Sequence, residues 1–146
     1  MKSRDELKRI LQEEIKCYCR LNDLLKEEKD AIISFKPAQL EEVAKKKDTL
    51  ALQIRLLDEE RKRLVDELAS HYGTGRSLTE IYNATGDDDF LRIRSELVSV
   101  LQSIEELNEI NRIFIERATF HLKTSASFLQ SVTARADVKN RVMREV

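Results

Sequence analysis

The sequence predicts an all-α protein: an antiparallel helical hairpin with a long third helix, together a three-helix coiled-coil bundle. Three observations lead there. Glycine and proline are scarce, with 3 Gly and 1 Pro in 146 residues, against an ordinary share of roughly one residue in eight. Charged residues make up 36% of the chain and aromatics 5%, which suits few, long helices better than a sheet or a walled pocket. Apolar residues also recur in alternating steps of three and four, the seam of a coiled coil.

The first helix is expected over about residues 4–35, opened by Ser3 and Glu6 as a capping box. Its seam is Leu7, Leu11, Tyr18, Leu21, Leu25, Ile32 and Phe35, with Glu14 and Glu28 at the two missing steps. Pro37 then interrupts, disfavouring helix just before it and suiting the first turn of the next. The second helix, about 38–71, carries Leu40, Val43, Lys47, Leu50, Ile54, Leu57, Arg61, Leu64 and Leu68 in the same rhythm. So short a connection folds the two helices back antiparallel. Facing seam residues in such a hairpin have a constant sum of residue numbers, and here every seam position finds its partner at 75. Leu7 meets Leu68, Leu25 meets Leu50, Phe35 meets Leu40, and both charged defects meet opposite charge: Glu14 with Arg61, Glu28 with Lys47. The apolar layers would supply stability and the two charged layers the register. If instead the charges only snorkel from the flanks, each pair is worth ~0–1 kcal/mol.

Gly73 is expected to cap the second helix. Residues 73–87 hold all three glycines and read as an irregular connection, with a short helical turn through Leu78, Ile81 and Tyr82 after a Ser77–Glu80 capping box. Asp87, Asp88 and Asp89 then place negative charge where the dipole of the third helix favours it. No Gly or distal Glu completes a calcium loop there. The third helix, about 88–132, has one seam through Phe90, Leu97, Leu101, Ile104, Asn108, Asn111, Ile115, Ala118, Leu122, Ser125, Leu129 and Val132. A second stripe, Ile93, Val100, Leu107, Phe114 and Phe128, lies beside it, as suits a helix filling the groove of a hairpin. Asn108 and Asn111 interrupt the seam and would set its register. Residues 1–132 are expected to form one domain and 133–146 a flexible or weakly helical tail.

Several function classes are excluded or disfavoured. The formal net charge is −1, so no global field draws the chain to nucleic acid. The balance shifts along the chain: residues 1–72 carry 16 basic and 16 acidic side chains, 73–132 carry 6 and 9, and 133–146 carry 4 and 2. No apolar run approaches the ~20 residues of a membrane span, and Met1 to Glu6 lead straight into charged helix with no signal-peptide core. A cytoplasmic protein is the expectation. Cys17 and Cys19 lie about 200° apart around a helix, so neither a mutual disulfide nor shared metal ligation is expected. His71 and His121 stand apart from any nucleophile or ligand set. No enzyme activity, cofactor or metal is expected.

Length locates the function. The hairpin helices are roughly 50 Å long and the third roughly 68 Å, so about 12 residues of the third helix find no partner in the hairpin. Its C-terminal part holds Phe114, Phe120, Leu122, Phe128, Leu129 and Val132. An amphipathic segment with aromatic anchors and no intramolecular partner is a surface for another helix. The alternative is a structural scaffold, or a homodimer formed through this helix.

In these residues the chain resembles the FlgN-type flagellar export chaperones. The similarity rests on Leu24-Leu25-Lys26-Glu27-Glu28-Lys29-Asp30-Ala31-Ile32, on Lys47-Asp48-Thr49-Leu50 and Arg61 with Leu64-Val65, and on Asn108-x-x-Asn111 before Ile113 and Ile115. The resemblance implies a cytoplasmic chaperone of type III flagellar export. Such chaperones bind C-terminal helical segments of hook–filament junction proteins, keep them unassembled and deliver them to the export gate. It places client contacts on the C-terminal helix, here Phe114, Ala118, Leu122, Phe128 and Leu129. Some relatives touch the gate with an aromatic in the C-terminal tail; Thr133 to Val146 contain none, so gate docking here would use other residues.

Overall fold

The computed structural model describes the backbone of residues 2–145 and the side chains of residues 2–134 and 141–144. The described secondary structure is helical throughout: α1 (Lys2–Ile33), α2 (Pro37–Tyr72), α3 (Leu78–Thr85) and α4 (Asp89–Glu145). The chain is all-α. It divides into two compact units, Met1–Asn111 and Arg112–Val146, so the division falls inside α4 and not at residue 132.

Within the first unit the two hairpin helices meet as their numbering requires. Arg61 lies 3.2 Å from Glu14, Lys47 lies 2.8 Å from Glu28, and near the open end Ser3 Oγ donates to Glu67 at 3.2 Å. Leu7, Leu11, Leu25, Ile32, Val43, Leu50, Leu64 and Leu68 are buried; Tyr18, Leu21, Leu40, Ile54 and Leu57 are half-buried. The densest core joins Leu7, Ile10, Leu11, Leu64, Val65 and Leu68 to Ile81 of α3 and to Phe90 and Ile93 of α4. α3 therefore closes the open end of the hairpin.

Two local expectations at the ends of α1 are corrected. Ser3 does not cap the helix: it sits inside the first turn, and its hydroxyl reaches Glu67 across to α2. Phe35 does not pair with Leu40 in the seam. It is 66% exposed with φ of +50°, because α1 ends in a Schellman turn: Lys36 N–H donates to Ala31 O at 3.0 Å and Phe35 N–H to Ile32 O at 3.3 Å. That turn requires a left-handed residue at the position Phe35 occupies. Pro37 then opens α2.

The connection 73–88 is more ordered than an irregular loop. Gly73 caps α2 at φ +64° and Gly86 caps α3 at φ +67°. Ser77 accepts from Glu80 N–H at 3.1 Å and its hydroxyl donates to the Glu80 carboxylate at 2.9 Å. Asp87 accepts from Asp89 N–H at 3.1 Å, and Lys8 reaches Asp87 at 2.5 Å and Asp89 at 3.2 Å. The acidic run is thus a helix cap tied to α1.

α4 continues as helix to Glu145, so the tail expected from residue 133 is helical. Residues 133–145 contain no Gly or Pro, include Ala134, Ala136, Met143 and Glu145, and end with Arg141 and Arg144. Those residues favour helix, and the last cations suit its C-terminal dipole.

Candidate functional site

The buried residues of α4 show one inward line where the sequence suggested two stripes. Phe90, Ile93, Ile104 and Asn111 are buried, and Leu97, Val100, Leu107, Phe114 and Ala118 are half-buried. These positions alternate in steps of three and four without a break. Leu101 and Ile115 (43% and 46% exposed) and Asn108, also exposed, lie off that line. The sequence reading mixed the two because each lies within the same broad arc of the helix.

Asn111 is the polar centre of this line. It is 2% exposed, and its Nδ2 donates to Leu25 O and to Glu28 Oε1, both at 2.9 Å. The other oxygen of Glu28 accepts from Lys47 Nζ at 2.8 Å. One carboxylate on α1 therefore holds α2 by charge and α4 by an amide. Ser103 adds a bond to Asn22 at 2.7 Å. Numbers rise together along α1 and α4 through these contacts, so the two helices run parallel. Asn108 takes no part: it is exposed at the rim of a cleft lined by Tyr18, Leu21 and Ile54. Sequence spacing flagged both asparagines, but only the one on the inward line is buried.

The other charged layer is drier. Glu14 is 2% exposed, and burial, opposed by the Arg61 charge and reinforced by that of Asp58, raises its carboxyl above the usual range. Arg61 Nε is 3.2 Å from Glu14 Oε1, yet neither atom is aligned for a hydrogen bond. Arg61 instead donates to Asp58. The Glu14–Arg61 attraction is thus a charge contact, weaker than an aligned, hydrogen-bonded pair.

In the second unit the side chains are mostly open. Leu122, Phe128 and Leu129 are 63–68% exposed, as are Phe120 at 66% and Val132 at 45%. Of the residues expected to contact a client, Phe114 and Ala118 are half-buried and the other three are exposed. At about 100° per residue, Ile115, Ala118, Leu122, Ser125, Leu129 and Val132 share one arc about 100° wide. Phe128 stands at the edge of this arc and Phe120 on the opposite side. A second consecutive four-residue step, from Ala118 to Leu122, offsets the slow drift of a strict heptad. Within this unit the exposed apolar residues Leu122, Leu129 and Val132 therefore share one side of the helix.

His71 and His121 are exposed, Cys17 is buried with its thiol pushed up by desolvation, and Cys19 is exposed. Among the described residues no cluster of His, Cys, Asp and Glu is placed to hold a metal. No described helix is long and apolar enough to cross a membrane.

The described chain is of the all-α class, with a long last helix that carries an exposed apolar arc. The particular family follows from sequence: residues 1–139 match the family model described as FlgN protein. The chain belongs to that family, the flagellar export chaperones. Comparison with curated proteins and with solved structures gives no match.

Proposed function

We propose that the chain is a cytoplasmic chaperone that binds C-terminal helical segments of hook–filament junction proteins, prevents their premature assembly and delivers them to the export gate. The observation that carries this reading is the exposed apolar arc of α4, Leu122, Leu129 and Val132 with Phe128 at its edge. A client segment that would otherwise self-assemble buries its own apolar face there. Ser125, at the middle of the arc, and the neighbouring Thr124 and Ser127 keep the contact modest, so that the client can be released. Phe114, Ala118, Leu122, Phe128 and Leu129 are the proposed contacts. Glu14, Arg61, Glu28, Lys47 and Asn111 set the packing of the helices that support them.

The test is calorimetric titration of the full chain with the C-terminal segments of junction proteins. Phe128→Glu is expected to abolish binding while helicity and melting stay unchanged, because the ring is 68% exposed. Collapse of melting assigns the face to the core and refutes the reading. Light scattering of the chain alone tests homodimerisation: a dimer lost with Phe128→Glu makes the arc a self-association surface instead.

A further inference from the structure

We infer that the hairpin carries a docking groove of its own, on its side away from α4, for an acidic helical segment of another protein. That segment presents one large apolar residue between two carboxylates. The groove is separate from the arc on α4 and does not depend on the proposed function. A pair of packed helices has two grooves, and α4 lies along one of them. Asn22 of α1 meets Ser103 of α4 there at 2.7 Å. Arg20 and Leu24 each stand about 160° around α1 from Asn22. On that other side a space of about 500 Å³ opens between α1 and α2, within the roughly 300–1,000 Å³ of sites that hold a ligand.

The floor of this space is apolar, made by half-buried Leu24 of α1 and buried Leu50 of α2, with uncharged Thr49 and Gln53 beside them. Its charged lining is basic: Arg20, Lys45 and Lys46 against a single acid, Asp23. Arg20 is exposed and makes no ion pair or hydrogen bond among the described residues. The ammonium groups of Lys45 and Lys46 meet Glu41 and Glu42, one turn back on their own helix, at 3.8 and 3.6 Å. Exposed pairs of that kind hold a lysine weakly and yield to a better-placed carboxylate. The register that pairs α1 with α2 at a residue sum of 75 sets the spacing. Leu24 and Leu50 lie side by side, with Arg20 one turn to one side and Lys46 one turn to the other, about 14 Å apart along the axis. A helix lying in the groove reaches both cations with carboxylates four residues before and four after an apolar residue, about 12 Å apart. All three side chains then share one face of that helix. A phosphate backbone gains from the cations but not from the leucine floor, and Asp23 repels it. A bilayer takes up apolar side chains that stand out from a surface, whereas these leucines lie in a cleft.

The experiment uses the full chain and three labelled, alanine-based helical peptides of about 16 residues. The first has Leu at its centre and Glu four residues to either side. The second has Lys in place of Glu, and the third has Ser in place of Leu. Fluorescence anisotropy at about 0.05 M salt is expected to show the first binding roughly tenfold tighter than either other, its charge preference erased near 1 M salt. Arg20→Glu with Lys46→Glu is expected to reverse the charge preference, and Thr49→Trp, which fills the cleft, to remove binding. All three positions are exposed, so circular dichroism and melting stay unchanged. Phe128→Glu is expected to leave the peptide bound; its loss there moves the peptide to α4 and overturns the inference. Equal binding of the Glu and Lys peptides, equal binding of the Leu and Ser peptides, or no saturable binding below about 1 mM overturns it too. Single-stranded DNA or phosphatidylserine vesicles that outcompete the Glu peptide replace the helix by another anion. Self-association abolished by Arg20→Glu with Lys46→Glu replaces it by a second copy; either result refutes the inference. Failure of junction-protein segments to bind refutes the proposed function and leaves this groove standing.

Discussion

Replacing Asn111 by Asp changes one group and probes the junction of three helices. The side chain keeps its shape but loses its only donor. Two bonds are lost: the one to Leu25 O, worth about 0.5–1.5 kcal/mol, and the charge-assisted one to Glu28, about 1.5–3 kcal/mol. Where Nδ2 now stands 2.9 Å from Glu28 Oε1, an ionised oxygen would face another. At an effective dielectric of about 20 that repulsion is roughly 6 kcal/mol before relaxation. Lys47, already on Glu28, screens part of it, and partial protonation relieves more. A loss of about 3–5 kcal/mol near pH 7.5 is expected from these contributions, a large share of the stability of a small domain. The new carboxyl has a folded pKa raised above its unfolded value. Its native state therefore binds more protons, and the deficit relative to wild type must shrink as pH falls toward about 5. Urea unfolding followed at the helical ellipticity band, at both pH values, reads the effect. A loss under about 1 kcal/mol, or one independent of pH, refutes the three-helix clamp.

Three further outcomes are expected. Glu14→Gln should raise the melting temperature near neutral pH, because burial already favours the uncharged form and Arg61 keeps Asp58; since the raised pKa gives stability that is lost as pH rises through it, the gain should fade in acid. A fall in melting at pH 7 would show the Glu14–Arg61 attraction to outweigh desolvation. Phe35→Gly should stabilise by about 0.5–1 kcal/mol, since the left-handed backbone costs an L-residue more than this exposed ring returns; destabilisation in urea melts would show that the ring packs. Asp87→Asn keeps a good helix cap but loses the charge that Lys8 meets, the main cause of the lowered Asp87 pKa. The stability it removes, about 0.5–1 kcal/mol, should be present at neutral pH and vanish as pH falls through that lowered pKa; a cost unchanged at about pH 2 would make it steric.

The hairpin was legible because its evidence is arithmetic. A proline at one position fixes antiparallel folding, and a constant residue sum then pairs Glu14 with Arg61 and Glu28 with Lys47 before any coordinates. Phe35 escaped that arithmetic, since periodicity counts residue types and cannot see that the helix has turned left-handed two residues before Pro37. The same blindness hid the cap: Ser3 and Glu6 have the capping-box spacing, but helix already surrounds Ser3 and its hydroxyl has a partner on α2. On α4 the difficulty was different. A third helix touching two others has a broad apolar arc, so two lines of apolar residues can be drawn through it, and only burial tells Asn111 from Asn108. The link between Asn111 and Glu28 crosses 83 residues and leaves no local trace.

That link bears on how one helix can serve packing and, under the proposed function, binding. Up to Asn111, the inward side of α4 is occupied, and at its polar centre the Asn111 amide donates to a backbone carbonyl and a carboxylate of α1. Past Asn111 one side of the helix carries Ala118, Leu122, Ser125, Leu129 and Val132, kept in line by the second four-residue step, from Ala118 to Leu122. A strict heptad continued from Asn111 would have required His121 and Ser125 at the seam, with Phe128 at the next position and Leu122 and Leu129 displaced from it. The step instead gathers the leucines on one side and leaves Phe128 at its margin. Under the proposed function a client helix would meet this arc, with Ser125 where an apolar residue would make release slow. The asparagine clamp holds the first part of the helix in place with directional bonds, so the exposed part need not be sticky enough to hold itself.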